Sequence, residues 1–135
     1  MKEETLRRFF TGEVSAKELA DELRDAVVVT GRDSSGIRIT PMDNAFRVSS
    51  VHLQRVCDAV LENKLPPEHL ATVGLCVVAS DSFDFEIGDN DDRARDVAQD
   101  WADYGINYPL TRENVTLWKR RLKGEVVSLN TESAV

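Results

Sequence analysis

Apolar residues recur at helical spacing over most of the chain and predict a mainly α-helical protein. A short helix over residues 2–10 is expected to stop around Gly12. Ser15 and Glu18 then form a capping box, in which each side chain satisfies a backbone N–H of the other, and a second helix should run from 16 to about 27. The apolar residues of these two helices are Leu6, Phe9, Phe10, Leu19, Leu23, Ala26 and Val27.

Four further helices are predicted towards the C-terminus. The first begins at Ser49 or Ser50 and ends near Asn63, and the next covers about residues 68–80 and is apolar on most sides. Gly74 lies in the predicted helix 68–80, where it would allow a neighbouring element to pack closely. The remaining two helices cover residues 90–104, closed by Gly105, and 111–123, stopped by Gly124.

The region 27–48 has two interpretations. Its short apolar runs on either side of a Gly/Ser segment fit a small β-hairpin, and they fit equally a helix end followed by an irregular loop. Residues 81–88 are predicted to be a loop with Phe83 and Phe85 turned inward. The expected fold is a compact bundle of about five or six helices, with one domain over 1–124 and a loosely ordered tail over 125–135.

Composition indicates a soluble cytoplasmic protein. Apolar residues make up 41% and charged residues 30% of 135 residues, and the longest apolar run, 73–79, is too short to span a bilayer. The first eight residues mix acids and bases and lack the pattern of a signal peptide. Cys57 and Cys76 lie among apolar residues on predicted helices, so we expect both to be buried and reduced.

The net charge of −7 is concentrated in one segment. Residues 81–103 contain nine acids opposed by Arg93 and Arg95, which gives −7, and the rest of the chain has fifteen acids and fifteen bases. The nine acids are Asp81, Asp84, Glu86, Asp89, Asp91, Asp92, Asp96, Asp100 and Asp103. Such a field repels nucleic acid and anionic membranes and attracts basic proteins or cations. We therefore expect a basic protein partner and no nucleic acid or membrane.

The sequence contains no recognisable catalytic motif. His52 and His69 each stand alone in predicted helices, where a boundary histidine is the expected interpretation. The acidic stretch 81–92 fails as a calcium loop, because glutamate occupies the sixth position and aspartate the twelfth. We expect no cofactor, metal or enzymatic activity; the enzymatic alternative is an unfamiliar site of paired carboxylates near Asp84 and Asp89.

The acids of the predicted helix 90–104 form a row that we call the acidic ridge. At roughly 100° per residue, five aspartates project within a sector about 80° wide, opposite an apolar face. The ridge comprises Asp89, Asp92, Asp96, Asp100 and Asp103, and the apolar face comprises Ala94, Val97, Ala98, Trp101 and Tyr104. Asp100 and Asp103 lie at the negative end of the helix dipole, so folding alone does not explain them.

Two interpretations of the ridge remain open. It is either a solvated face neutralised by the basic cluster Lys119, Arg120, Arg121 and Lys123, or a surface that binds a basic cleft. In the second case Asp81 and Asp84 would extend the contact. Enzymes acting on nucleic acid present such clefts, and an acidic helix that imitates a row of phosphates would block one.

The N-terminal residues resemble a known family. The pattern Leu6, Phe9-Phe10, Gly12, Val14-Ser15-Ala16 and Glu18-Leu19 is similar to the opening of colicin-type immunity proteins, which are small acidic helical bundles that neutralise a bacterial toxin. The likeness covers about the first 25 residues. It implies an inhibitor of a nuclease toxin made in the same bacterium, and it carries over no partner-contacting residue. The rival expectation is a helical adaptor or regulatory protein that binds through another face.

Overall fold

Helices dominate the computed structural model, which describes residues 2–29, 35–37, 40, 42–86, 92–103, 108–125 and 129. Within these ranges the helices are α1 (Glu3–Phe10), α2 (Ala16–Ala26), α3 (Ser50–Leu61), α4 (His69–Ala79), α5 (Arg93–Ala102) and α6 (Arg112–Leu122). The strands are β1 (Val27–Val29), β2 (Ser35–Ile37), β3 (Phe46–Val48) and β4 (Phe83–Phe85). The predicted mainly helical fold is confirmed.

The signals at the helix ends act as the sequence indicates. Glu18 N–H donates to Ser15 Oγ at 3.2 Å, which starts α2. Gly12 and Gly124 follow the ends of α1 and α6 with φ of +84° and +99°. A residue with a β-carbon is strained in this left-handed region, so glycine at these positions favours the chain leaving the helix.

The strands form two small sheets. β1 and β2 are antiparallel, with Val27 opposite Ile37, which confirms the strand pairing of the hairpin interpretation, and β2 includes Ser35 and Gly36 of the Gly/Ser segment. The connection over 30–34 lies outside the described residues. β3 and β4 are parallel, with Phe46 opposite Phe83, so the prediction of a loop over 83–85 is wrong. Parallel strands need a long crossover connection, and α3 and α4 supply it. The strand was missed because its pairing partner lies two helices away in the sequence.

Aromatic rings join the parallel sheet to α1. The Phe10 ring lies 6.0 Å from that of Phe46 and 6.1 Å from that of Phe83, measured between centroids. Phe83 is buried and Phe85 is half-buried, which confirms that both turn inward. These contacts hold β3 and β4 against α1.

The core is densest where α4 packs on α5. Gly74 lies at this crossing, and a β-carbon built on it would come within 2.7 Å of Ala98 O, Ala102 N and Trp101 Cβ. The predicted close approach at Gly74 is therefore confirmed. Trp101 also meets Trp118 of α6 edge to face, with ring centroids 6.2 Å apart.

Helix α6 is tied to the C-terminal half of α3 by polar contacts. Arg112 donates to Val60 O at 2.9 Å and to Leu61 O at 2.7 Å, which satisfies carbonyl groups at the end of α3. Lys119 forms an ion pair with Asp58. Together these contacts set the position of α6 beside α3 and α5.

Within the described ranges, no helix combines the length and apolarity needed to cross a membrane. Leu129 packs against the core, and Glu125 accepts hydrogen bonds from Arg120. Residues 126–128 and 130–135 lie outside the described residues, so a loosely ordered tail over 125–135 stays a prediction, as does the single domain over 1–124.

Candidate partner-binding site

Helix α5 carries fewer of the ridge aspartates than the sequence predicts. The helix begins at Arg93, and Asp92 before it has φ of +58°, a left-handed conformation that aspartate tolerates better than most residues. Asp96 and Asp100 lie within the helix, and Asp103 caps its C-terminal end. Asp89 lies outside the described residues, as does Tyr104 of the opposite face. The buried residues of α5 are Ala94, Val97, Ala98 and Trp101, which confirms the predicted apolar face.

Asp100 has a role in folding that the sequence did not reveal. Its Oδ2 accepts a hydrogen bond of 3.1 Å from Nε1 of the fully buried Trp118, and its side chain is 14% exposed. The expectation that folding does not explain Asp100 is therefore wrong. One signal was present in the sequence: Asp100 lies at the edge of the ridge nearest the apolar face, where a carboxylate can meet a buried donor of the next helix.

The surroundings of Asp100 change its acidity. Burial raises the pKa of its carboxyl group, and the carboxylates of Asp96 and Asp103 raise it further. The indole N–H of Trp118 and the guanidinium of Arg121 act in the opposite direction. Because burial is the largest cause, the net result is a pKa above the ordinary range for aspartate.

The basic cluster of α6 neutralises the ridge only in part. Arg121 lies 3.3 Å from Asp96 Oδ2 and 3.9 Å from Asp100 Oδ2. Lys119 and Arg120 pair instead with Asp58 and Glu125. The side chain of Asp96 remains 49% exposed, and an exposed ion pair contributes at most about 1 kcal/mol. One arginine therefore serves two ridge carboxylates, and Asp96 stays accessible from solvent.

Two further residues that are predicted to contact a partner lie near β4: Asp81 precedes the strand and Asp84 lies within it. Asp81 and Asp84 are exposed, and within the described ranges neither makes an ion pair. Arg95 of α5 has its guanidinium carbon 5.3 Å from the centroid of the Phe85 ring, so β4 lies beside the first half of α5. Arg47 is the cross-strand neighbour of Asp84 and is also exposed.

We call the accessible carboxylates of this region the α5–β4 acidic surface, made of Asp81, Asp84, Asp92, Asp96 and Asp103. Asp103 accepts a hydrogen bond of 2.7 Å from Gln99 Nε2, so that carboxylate is held in place without being neutralised. Carboxylates in such a setting accept charge-assisted hydrogen bonds from lysine and arginine. Asp100 is excluded from the surface because its accepting oxygen faces Trp118.

The histidines lie at the boundary of the core, as predicted. His52 Nδ1 accepts from Ser49 N–H at 3.0 Å and lies 3.2 Å from Ser49 Oγ. This Ser–His contact belongs to a capping box at the start of α3, where it satisfies backbone groups at the helix N-terminus. Burial lowers the pKa of His52 and of His69.

The remaining reactive groups show no assembled chemical site within the described ranges. No three His, Cys, Asp or Glu side chains among those residues come together as a metal site would require. Cys57 and Cys76 are free and buried, and burial raises the pKa of Cys57 and brings that of Cys76 to about 12. Thiols with such high pKa values are poor nucleophiles at neutral pH.

Comparisons of the chain with protein-family models, with curated proteins and with solved structures gave no match. The functional assignment therefore depends on the charges and contacts of the α5–β4 acidic surface.

Proposed function

We propose that this protein is a non-enzymatic inhibitory binding protein of the cytoplasm, which neutralises a basic, nuclease-type toxin through the α5–β4 acidic surface. The observation that carries the proposal is that five carboxylates are accessible and that four of them make no ion pair with a described residue, although arginines lie on the same elements. Only Asp96 of the five makes an ion pair with a described residue, and it shares that arginine with Asp100. The resemblance of the N-terminal residues to colicin-type immunity proteins supports the same function.

The chemistry of the surface fits a basic protein better than a small cation. Its carboxylates are spread along α5 and β4 and do not converge on one point, and a metal ion requires convergent ligands. A nuclease cleft presents a row of lysine and arginine side chains that bind phosphates. Complementary charge of this kind accelerates association and selects the partner.

The test is capture and inhibition with variants of matched charge. The surface variant replaces Asp92, Asp96 and Asp103 with asparagine and keeps Asp100, whose loss would disturb the fold. The control variant replaces Glu18, Glu68 and Glu113 with glutamine, which removes three negative charges from exposed residues on other elements. Both variants and the wild type are used to capture proteins from a lysate of the producing cell, and captured nucleases are purified and assayed.

We expect the wild type and the control to capture and inhibit the same basic nuclease. The surface variant should bind it at least about tenfold more weakly, and added salt should weaken the wild-type complex. Equal binding by all three proteins would exclude the acidic surface as the binding site and favour an adaptor that uses another face. Failure to capture any nuclease, or capture without inhibition, would contradict the proposed function.

A further inference from the structure

We propose that a cleft between the α1–α2 turn and α3, separate from the acidic surface, is a binding site for a small amphipathic anion such as a carboxylate with an apolar body. The cleft is open to solvent, has a volume of about 740 Å³, and is lined by residues of α1, α2 and α3 and of the segments that follow α1 and α3. Small-molecule sites in proteins fall within about 300–1,000 Å³.

One wall of the cleft is apolar. The side chains of Phe9 and Ala59 reach it from the core, where each is 4% exposed, and Val14 and Ala16 add partly buried surface at the turn. An apolar wall with a few charged groups at its edge is the usual construction of a small-molecule site. This wall would bury the apolar body of a ligand.

The charged groups at the edge leave a surplus of positive charge. The two carboxylates that line the cleft already have lysine partners, since Asp58 pairs with Lys119 and Glu62 pairs with Lys64 at 3.1 Å. Lys17 and Arg55 also line the cleft, and neither makes an ion pair or side-chain hydrogen bond with any residue that the structure describes. In a chain of net charge −7, two such cations beside one cleft favour an anion.

The guanidinium of Arg55 lies against the turn before α2. A β-carbon built on Gly12 would lie 2.8 Å from Nη2 of Arg55, so the guanidinium covers the glycine and would be displaced by any larger residue. Gly12 adopts φ of +84°, which suits glycine for the turn as well as for this contact. Arg55 thus lies at the edge of the cleft with its donors unused by the described residues, and a carboxylate can accept from its two parallel N–H groups.

The experiment is an NMR titration of the ¹⁵N-labelled protein with octanoate and with octylammonium, which share an apolar chain and differ in charge. We expect millimolar octanoate to shift the amide signals of Val14, Ala16 and Ala59 in a saturable way, and octylammonium to leave them unchanged. Arg55→Gln should weaken octanoate binding about tenfold, as expected for the loss of a charge-assisted hydrogen bond. Lys123→Gln, which removes one exposed positive charge at the end of α6, should bind like the wild type.

Equal shifts with octanoate and octylammonium would overturn the proposal, because the site would then recognise only the apolar chain. Equal affinities of Arg55→Gln and Lys123→Gln would also overturn it, as would the absence of saturable shifts at the cleft. Arg55 is exposed, so its replacement should leave the spectrum of the free protein dispersed. Lys17→Gln provides a second variant at the same edge, and the comparison of the two probes on the wild type requires no variant.

Discussion

Replacement of Asp100 with alanine removes the acceptor of a buried indole N–H. Trp118 is fully buried, and its Nε1 donates to Asp100 Oδ2 at 3.1 Å. A buried donor that loses its acceptor costs about 1–3 kcal/mol. The alanine variant also loses a carboxylate that Asp96 and Asp103 repel, which offsets a few tenths of a kcal/mol. We therefore expect Asp100→Ala to lower the free energy of unfolding by about 2 kcal/mol.

Two further variants separate the hydrogen bond from the charge. Asp100→Asn keeps an oxygen that can accept from Trp118, so its loss should stay below about 1 kcal/mol. Asp103→Ala removes a charge from the same helix end, but its hydrogen-bond donor is the exposed Gln99 side chain. A substitution at such a position changes stability by no more than about 0.5 kcal/mol.

The assay is equilibrium urea unfolding at neutral pH, with the dependence of the free energy on urea compared among the variants. The expected order of stability is wild type, then Asp103→Ala and Asp100→Asn close together, and Asp100→Ala clearly last. Equal losses for the alanine and asparagine variants of Asp100 would refute the hydrogen-bond argument. If Asp103→Ala lowered the free energy of unfolding as much as Asp100→Ala does, removal of a charge would explain the effect without the hydrogen bond.

The difference in stability between the wild type and Asp100→Asn should depend on pH. Burial raises the pKa of Asp100 in the folded state above its value in the unfolded chain. The folded state then holds the proton over an interval in which the unfolded state has released it, so the contribution of Asp100 to the free energy of unfolding falls as pH rises through that interval. Asparagine does not titrate, so the free energy of unfolding of Asp100→Asn minus that of the wild type should grow over the same interval and be constant above it. A difference that shrinks as pH rises from the ordinary aspartate pKa, about 3.9, would contradict this sign.

Three other features allow direct tests. Gly74→Ala should destabilise the fold by about 1–3 kcal/mol in urea unfolding, because its β-carbon would meet the backbone of α5. This cost exceeds the advantage of about 1 kcal/mol that alanine has over glycine in an exposed helix. A stabilised variant would contradict the close packing at Gly74. The His52 ring should titrate below its ordinary pKa in NMR spectra, because burial disfavours its charged form. The folded state then binds fewer protons than the unfolded state, so this histidine's contribution to stability is lost as pH falls through about 6.5. His52→Gln can still accept from Ser49 N–H and should reduce that loss. Cys57 and Cys76 should resist a thiol reagent in the native protein at neutral pH and react after unfolding, and rapid native labelling would contradict their burial.

Features that depend on neighbours in the sequence were predicted correctly. The hydrogen bond from Glu18 N–H to Ser15 Oγ, one of the two expected of the capping box, is present at the start of α2, and Gly124 follows the end of α6 in the left-handed conformation. The predicted apolar face of α5, which includes Ala94, Val97 and Trp101, is buried. Each of these signals acts within one helical turn, so the sequence contains all that is needed to recognise it.

Features that join distant segments were decided by the tertiary structure. The pairing of Phe83 with Phe46 depends on α3 and α4 folding between them, and neither short strand indicates its partner. The hydrogen bond from Trp118 to Asp100 exists because α6 packs beside α5, which turned one ridge aspartate towards the core. In the same way, Arg55 reaches the edge of the cleft only because α3 passes beneath the turn at Gly12. The periodicity of the chain therefore predicted the helices and their apolar faces, and its charges located the acidic segment. The packing of the helices decided which of those charges remain accessible to a partner.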